Sequence, residues 1–308
     1  MSIGEFSLID TYFSRIGENP NIALGIGDDA ASVELPDGHV LQISTDTAIE
    51  GVHFPHDFAP ADIAYRSVMT AASDLAAMGA APIGMLLAIT LPAADEAWLT
   101  RFAEGLRAAS DATGLPLVGG DTTRGALSLT VTVMGSTPSS SGLRRDGARP
   151  GDRVCVSGTL GDAAAGLAVI QGTLQLVDQA AAEYLQMRFT RPAARLSLGQ
   201  SLLGVATAAI DLSDGLLADA AHIADASAVA IDIDSSKVPL SAALRQVTDT
   251  AQVHQWALTG GDDYELLVTL PPETPVPEAL TEIGRVAAGQ GVSCDQTPAS
   301  WGYDHFAR

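Results

Sequence analysis

ADIAYRSVMTAASDLAAMGA (61–80), followed almost at once by IGMLLAITL (83–91), is the stretch that decides the fold. Its first part spaces apolar residues for a helix and stops at Gly79; its second is a short apolar run of strand length. A helix leading directly into a buried strand is the unit of a layered α/β protein. Upstream, HVLQIST (39–45) reads as a strand. Downstream, DEAWLTRFAEGLRAASDAT (95–113) reads as an amphipathic helix closed by Gly114. LPLVGGDTTRG and ALSLTVTVMGS then supply two strands around an acidic turn at 119–125.

STPSSSGLRRDGARPGD (136–152) breaks this pattern with Ser, Gly and Pro, which places a domain boundary there. The expected division is a first domain at 1–137, a linker at 138–152 and a second α/β domain at 153–308. The second half restarts with RVCVSG as a strand, GDAAAGLAVIQG as a helix and AAIDLS as a strand. DGLLADAAHIADA continues as a helix, AVAIDID and YELLVTL (264–270) as strands, and PEALTEIG (277–284) as a short helix before a closing strand. The fold class is mixed α/β in two domains.

Composition narrows the chemistry. With 47 % apolar residues in 308, the chain can bury a substantial core. Sixteen basic residues against 37 acidic ones give a net charge of −21, so the electrostatic footprint of a nucleic-acid binder is missing. Lys237 is the only lysine and no G-x-x-x-x-G-K-[ST] occurs, which excludes a P-loop. Nucleotide chemistry here must rest on metals, arginines and backbone N–H groups. Cys155 and Cys294 are far apart and support neither a disulfide framework nor a zinc site. MSIGEFSLIDTYF lacks the features of a signal peptide, and the longest apolar stretch, near 81–94, is too short to span a bilayer. The expectation is a cytoplasmic protein with no membrane partner.

Acidic residues recur beside Gly, Ser or Thr after apolar strands: GIGDD (25–29), STDT (44–47), GGDTTRG (119–125), DLSDG (211–215) and GGDD (260–263). Ser73 and Asp74 add a sixth acidic point inside the alanine-rich helix. Each loop alone has an ordinary reading as turn or helix-cap chemistry. Five of them in a chain with 17 % charged residues are better explained together. In LGIGDDAA, adjacent carboxylates about 4 Å apart would repel by about 4 kcal/mol at an effective dielectric of about 20. Carboxylates with hydroxyls are hard oxygen donors suited to Mg²⁺, and strand ends are where open α/β sheets bind ligands. The residues therefore point to metal-assisted phosphoryl transfer.

GEFSLI, LGIGDDAA, ISTDTAIEGVHF, SDLAAMGA, GGDTTRG, RPGD, AIDLSDGL, GGDDYEL and GYDHFA, in this order from residue 4 to 307, resemble the bacterial thiamine-monophosphate kinase family. That family belongs with the aminoimidazole ribonucleotide synthetase-like ATP-binding enzymes. The resemblance implies a homodimer whose N-terminal sheets pair, ATP held between the N-terminal layer and the C-terminal domain, and thiamine monophosphate as acceptor. Matched position by position, it implies Mg²⁺ ligands at Asp29, Ser44, Thr45, Asp46, Asp74, Asp121, Asp211 and Asp214. It implies ATP contacts at Gly120, Asp121, Arg145 and Ser213, and substrate contacts at His53, Asp262 and either Trp301 or Tyr303. Asp262 departs from the family's usual Glu. No general base is required, because a phosphate monoester with a second pKa near about 6 is already largely dianionic at neutral pH. Transfer is expected to be direct and in line.

Other residues keep plainer readings. Arg144 is a solvated arginine, Arg124 either touches phosphate or pairs with a carboxylate, and Tyr264 and Glu265 begin a strand and pack. Asp28 acts behind Asp29 or binds another ion through water. The competing functions are an ATP-dependent purine-type synthetase of the same fold and a non-catalytic acidic metal-binding protein. A selenophosphate synthetase would need a reactive Cys near the N-terminus, and none precedes Cys155.

Overall fold

The structure is a computed structural model that describes residues 5–139, 141–296 and 301–303; Gly4 and the part of the GYDHFA motif from Asp304 on lie outside the described residues. The chain divides into two units, one of Met1–Leu75 with Ala80–Ser140, the other of Ala76–Gly79 with Ser141–Arg308.

The first unit runs α1 (Glu5–Leu8), a π-helical turn at Ile9–Phe13, β1 (Ile22–Leu24), β2 (Ser32–Val33), β3 (His39–Ile49), α2 (Pro60–Ala77), β4 (Ala81–Leu91), α3 (Glu96–Thr113), β5 (Leu117–Arg124) and β6 (Ser128–Pro138). Four strands form one sheet in the order β3-β6-β4-β5. On β4 the buried side chains Ile83, Met85, Leu87, Ile89 and Leu91 alternate with less buried Leu86, Ala88 and Thr90, the period-two signature of a sheet covered on one face. Val68, Ala72 and Leu75 of α2 and Leu99, Phe102 and Leu106 of α3 are buried too, and Leu75 packs on Gly135 of β6. Asp95 caps α3 by accepting the Trp98 N–H, and Gly114 ends it at φ 71. The other sheet face is open along β3, where Ile43 is 59 % exposed and Thr45, Thr47 and Ile49 are exposed as well.

The second unit runs β7 (Arg153–Ser157), α4 (Asp162–Ile170), α5 (Gln179–Thr190), α6 (Leu196–Ser201), β8 (Ala208–Asp211), α7 (Leu216–Ser227), β9 (Ala230–Ile233), α8 (Thr250–Thr259), β10 (Leu266–Leu270), β11 (Leu280–Ala287) and β12 (Gly291–Cys294). The strand order is β12-β9-β11-β7-β10-β8, antiparallel except for the β12–β9 pair. Val154, Val156, Ile210, Leu217, Ile223, Ile231, Leu267 and Ile283 share one core, and Ala165, Leu185, Leu244 and Val253 a smaller one.

Three local expectations are corrected. STDT and the 119–124 segment are not loops: both lie inside strands, because β3 pairs with β6 from His39 to Ile49 and β5 pairs with β4 as far as Arg124. Their threonines are β-formers, and the ladder overrides the turn chemistry of Gly and Asp. Residues 277–284 form no helix; Leu280 onward pairs with β7 and β9. GGDD follows helix α8 and precedes β10, so it stands at a strand's beginning rather than its end.

Candidate active site

The strand position of STDT decides which of its side chains can work together. Successive side chains on β3 point to opposite faces. Ser44 and Asp46 face one way, and the Ser44 hydroxyl bonds the Asp74 carboxylate, which α2 supplies. Thr45 faces the other way, its hydroxyl 2.9 Å from that of Thr132 on β6. Any role for Thr45 beside Ser44 and Asp46 therefore falls to its main chain. Burial pushes the Asp46 carboxyl up to about 6, with the neighbouring Asp74 charge adding to the shift. Two carboxylates and a hydroxyl drawn together in this way suit a hard divalent cation.

Asp121 lies exposed on β5, opposite Ala88 of β4. Gly120 before it has φ 155, and a Cβ there would meet the Leu87 carbonyl oxygen at 1.9 Å, so only glycine allows this pairing. In the 25–29 loop Asp29 is exposed and its N–H donates to Asp28 Oδ1 at 2.8 Å. Asp28 thus shapes the turn that presents Asp29. His53, in the turn after β3, accepts the Ile49 N–H on Nδ1 at 3.0 Å, which puts the ring proton of its neutral form on Nε2.

In the second unit three separated motifs meet. The Asp262 N–H donates to the Ser213 carbonyl at 2.9 Å, the Tyr264 N–H to the Leu212 carbonyl at 2.9 Å, and the Tyr303 N–H to the Asp214 carbonyl at 3.0 Å. DLSDG, GGDDY and the terminal aromatic segment are therefore one constellation, carrying Asp211, Ser213, Asp214, Asp262 and Tyr303. Trp301 and Tyr303 are both about half exposed, at 51 % and 52 %.

Beneath these loops are acids that the sequence motifs did not mark as functional. Asp219, in the first turns of α7, accepts the N–H groups of Ser213, Asp214 and Gly215, each at 3.1 Å. Its carboxyl is pushed up to about 7, chiefly by burial and then by Asp211 and Asp214. Asp214, Asp219 and His222 offer ligand atoms within 4.8 Å of one another. An acid four residues past the Gly215 cap is a signal that could have found Asp219. Asp263 accepts the Gly161 N–H at 2.7 Å and, buried, is pushed up to about 8. Glu265, fully buried, accepts from Ser157 at 2.5 Å, from Arg188 at 2.9 Å and from both Nε and Nη2 of Arg195. Tyr264 and Glu265 are buried as expected, but both precede β10 rather than beginning it.

The arginines separate cleanly. Arg144 is bidentate on Asp146, at 2.7 and 2.6 Å. The exposed Arg145 side chain has no ion pair among the described residues, while its carbonyl accepts from Ser227 at 2.8 Å. Lys237 is committed to Asp234 at 3.1 Å.

Two family models cover most of the chain. The AIR synthase related protein, N-terminal domain, matches residues 27–137, and its C-terminal domain counterpart matches residues 149–294. The chain is 44 % identical to the thiamine-monophosphate kinase of Salmonella typhimurium LT2, over 100 % of this chain and 99 % of the relative. Among solved structures it is similar to thiamine-monophosphate kinase from Stenotrophomonas maltophilia K279a, with TM-score 0.87 and 44 % identity over 97 % of this chain and 99 % of that one. It is also similar to AaThiL complexed with AMPPCP and TMP, with TM-score 0.82 and 36 % identity over 99 % of both chains.

Proposed function

The chain belongs to the thiamine-monophosphate kinase family of AIR synthase related proteins, and from that premise we propose how its residues carry out the reaction. It phosphorylates thiamine monophosphate with ATP, giving thiamine diphosphate and ADP. What carries this reading is the whole-length likeness to a structure holding both an ATP analogue and TMP. An oxygen of the acceptor's phosphate forms a bond to the γ-phosphorus of ATP as the bond from that phosphorus to the β,γ-bridging oxygen breaks, and ADP leaves with the electron pair. The acceptor is already largely dianionic at neutral pH, so no side chain is asked to remove a proton.

The task left to the protein is to bring two polyanions together and hold them in line. Asp29, Ser44, Thr45, Asp46, Asp74 and Asp121 in the first unit, with Asp211 and Asp214 in the second, are the oxygen donors for several Mg²⁺ ions. The raised carboxyl of Asp46 beside Asp74 supports that assignment, because anions so placed are stabilised by a divalent charge. Bound there, Mg²⁺ supplies the charge neutralisation that phosphoryl transfer requires. Gly120, Asp121, Arg145 and Ser213 hold ATP, with the Arg145 guanidinium suited to a bidentate phosphate contact. His53, Asp262 and an aromatic at Trp301 or Tyr303 hold the thiamine phosphate.

The working form is a homodimer in the cytoplasm. The open face of the first unit's sheet supports pairing with a second copy, since Ile43 and Ile49 are 59 % and 42 % exposed on it. Among the described residues no helix is long and apolar enough to cross a membrane.

The test is a substrate panel. Purified protein with ATP and Mg²⁺ forms ADP and thiamine diphosphate from thiamine monophosphate, and EDTA stops it. ADP formation with a purine precursor but not with thiamine monophosphate overturns the assignment. A phosphoenzyme trapped with γ-labelled ATP alone overturns direct transfer.

A further inference from the structure

The 260–265 segment does more than lead into a strand. Gly261, Asp262 and Tyr264 have φ of 66°, 61° and 51°, all in the left-handed region. Aspartate visits that region readily, but a bulky aromatic does so rarely and only where its surroundings hold it there. The surroundings here do so from two sides. The Asp262 and Tyr264 N–H groups are taken by the Ser213 and Leu212 carbonyls. Asp263 and Glu265 turn into the interior, one onto the Gly161 N–H, the other onto Ser157, Arg188 and Arg195. The alternation leaves residues 262 and 264 to meet each other, and the buried Tyr264 hydroxyl donates to Asp262 Oδ1 at 3.0 Å.

We propose that Tyr264 is a positioning residue: its hydroxyl fixes the Asp262 carboxylate in the orientation that receives thiamine monophosphate. The inference rests on Asp262 as a substrate contact, as proposed above, and goes beyond it by naming what aims that side chain. A short carboxylate on a loop has free rotation about two bonds, and one hydrogen bond from a buried phenol removes most of that freedom before the ligand arrives. Because an anion repels phosphate, the group Asp262 receives is the amino or cationic ring portion of the substrate.

The experiment compares Tyr264→Phe, Asp262→Gly and the double variant with the wild type, as full-length proteins, reading kcat, both KM values and the melting temperature. Glycine is chosen at 262 because it removes the side chain without penalty at φ 61. Tyr264→Phe deletes only the hydroxyl. It is expected to raise the KM for thiamine monophosphate about tenfold, the scale of one hydrogen bond to a charged group. The ATP KM, kcat and melting temperature stay at wild-type values, and Tyr264→Phe adds nothing once Asp262 is glycine. If Asp262→Gly raises the thiamine monophosphate KM but Tyr264→Phe does not, Tyr264 only packs and the proposal fails alone. A Tyr264→Phe variant whose parameters all fall with its melting temperature overturns it equally. If Asp262→Gly leaves that KM unchanged, the substrate role of Asp262 fails, and this proposal with it.

Discussion

The two units hold the same kind of side chain in opposite ways. In the first, Ser44, Asp46 and Asp121 ride on long strands whose hydrogen-bond ladders fix their backbone. In the second, Asp211, Ser213, Asp214 and Asp262 sit at a strand end and in loops shaped by buried carboxylates, Asp219 under one loop and Asp263 and Glu265 under the other. Strand-borne acids can be changed without disturbing their support. Loop-borne acids depend on charges that are themselves costly to bury. The same chemistry should therefore respond to mutation as lost activity in one unit and as lost stability in the other.

The strongest way to break that contrast is Asp46→Asn. Loss of the proposed cation ligand is expected to lower kcat/KM by about 10³-fold or more, equivalent to about 4 kcal/mol of transition-state stabilisation. The metal-free protein should melt at the wild-type temperature or above, since the substitution removes an anion that Asp74 repels. Next in size is Glu265→Ala, which strands Arg195 and leaves Arg188 the Asp162 carboxylate 3.7 Å away. Removing one partner from a buried ionic cluster costs about 3–5 kcal/mol, roughly 10 °C in a thermal melt. Glu265→Gln, which keeps an oxygen for Ser157 and the arginines, should cost much less.

The stability of the metal-free protein should also depend on pH. Asp46, Asp219 and Asp263 have folded pKa values of about 6, 7 and 8, all above the ordinary 3.8. Each favours the protonated folded form, so its contribution is complete below about 4 and is lost as pH rises through the folded value. Melting temperature should fall from pH 5 to pH 8. Mg²⁺ should recover the part owed to Asp46, raising the melting temperature more at pH 7.5 than at pH 5. Asp263→Asn should flatten the slope near pH 8 without touching the Mg²⁺ response. The smallest contrast lies between adjacent arginines: Arg145→Ala should raise the ATP KM about tenfold, while Arg144→Ala should leave both activity and melting temperature alone.

Much of this was legible in the residues. The helix at 61–80, the strand at 83–91 and the capped helix closed by Gly114 follow from apolar spacing and stop signals that the structure repeats. The acids were visible as well, because five such clusters stand out in a chain with 17 % charged residues. Their supports were harder to see. STDT and GGDTTR carry turn residues, and only the partners on β6 and β4 make them strands. PEALTEIG has helix formers at its centre, yet Leu280 onward is claimed by strands on both sides. Helices α5 and α8 have little apolar periodicity; their clearest marks are Asp178 and Asp249, whose carboxylates cap them. Glu265 reads as an ordinary residue of a strand, because its donors Ser157, Arg188 and Arg195 are far from it in sequence and no local pattern contains them.

In the function proposed above, the first unit's carboxylates are paired anions that receive a divalent cation. The most direct measurement is the rise in melting temperature that Mg²⁺ alone produces at pH 7.5, in the wild type and in Asp46→Asn. A clear rise is expected in the wild type and its near loss in the variant. A variant that keeps the full rise would contradict it.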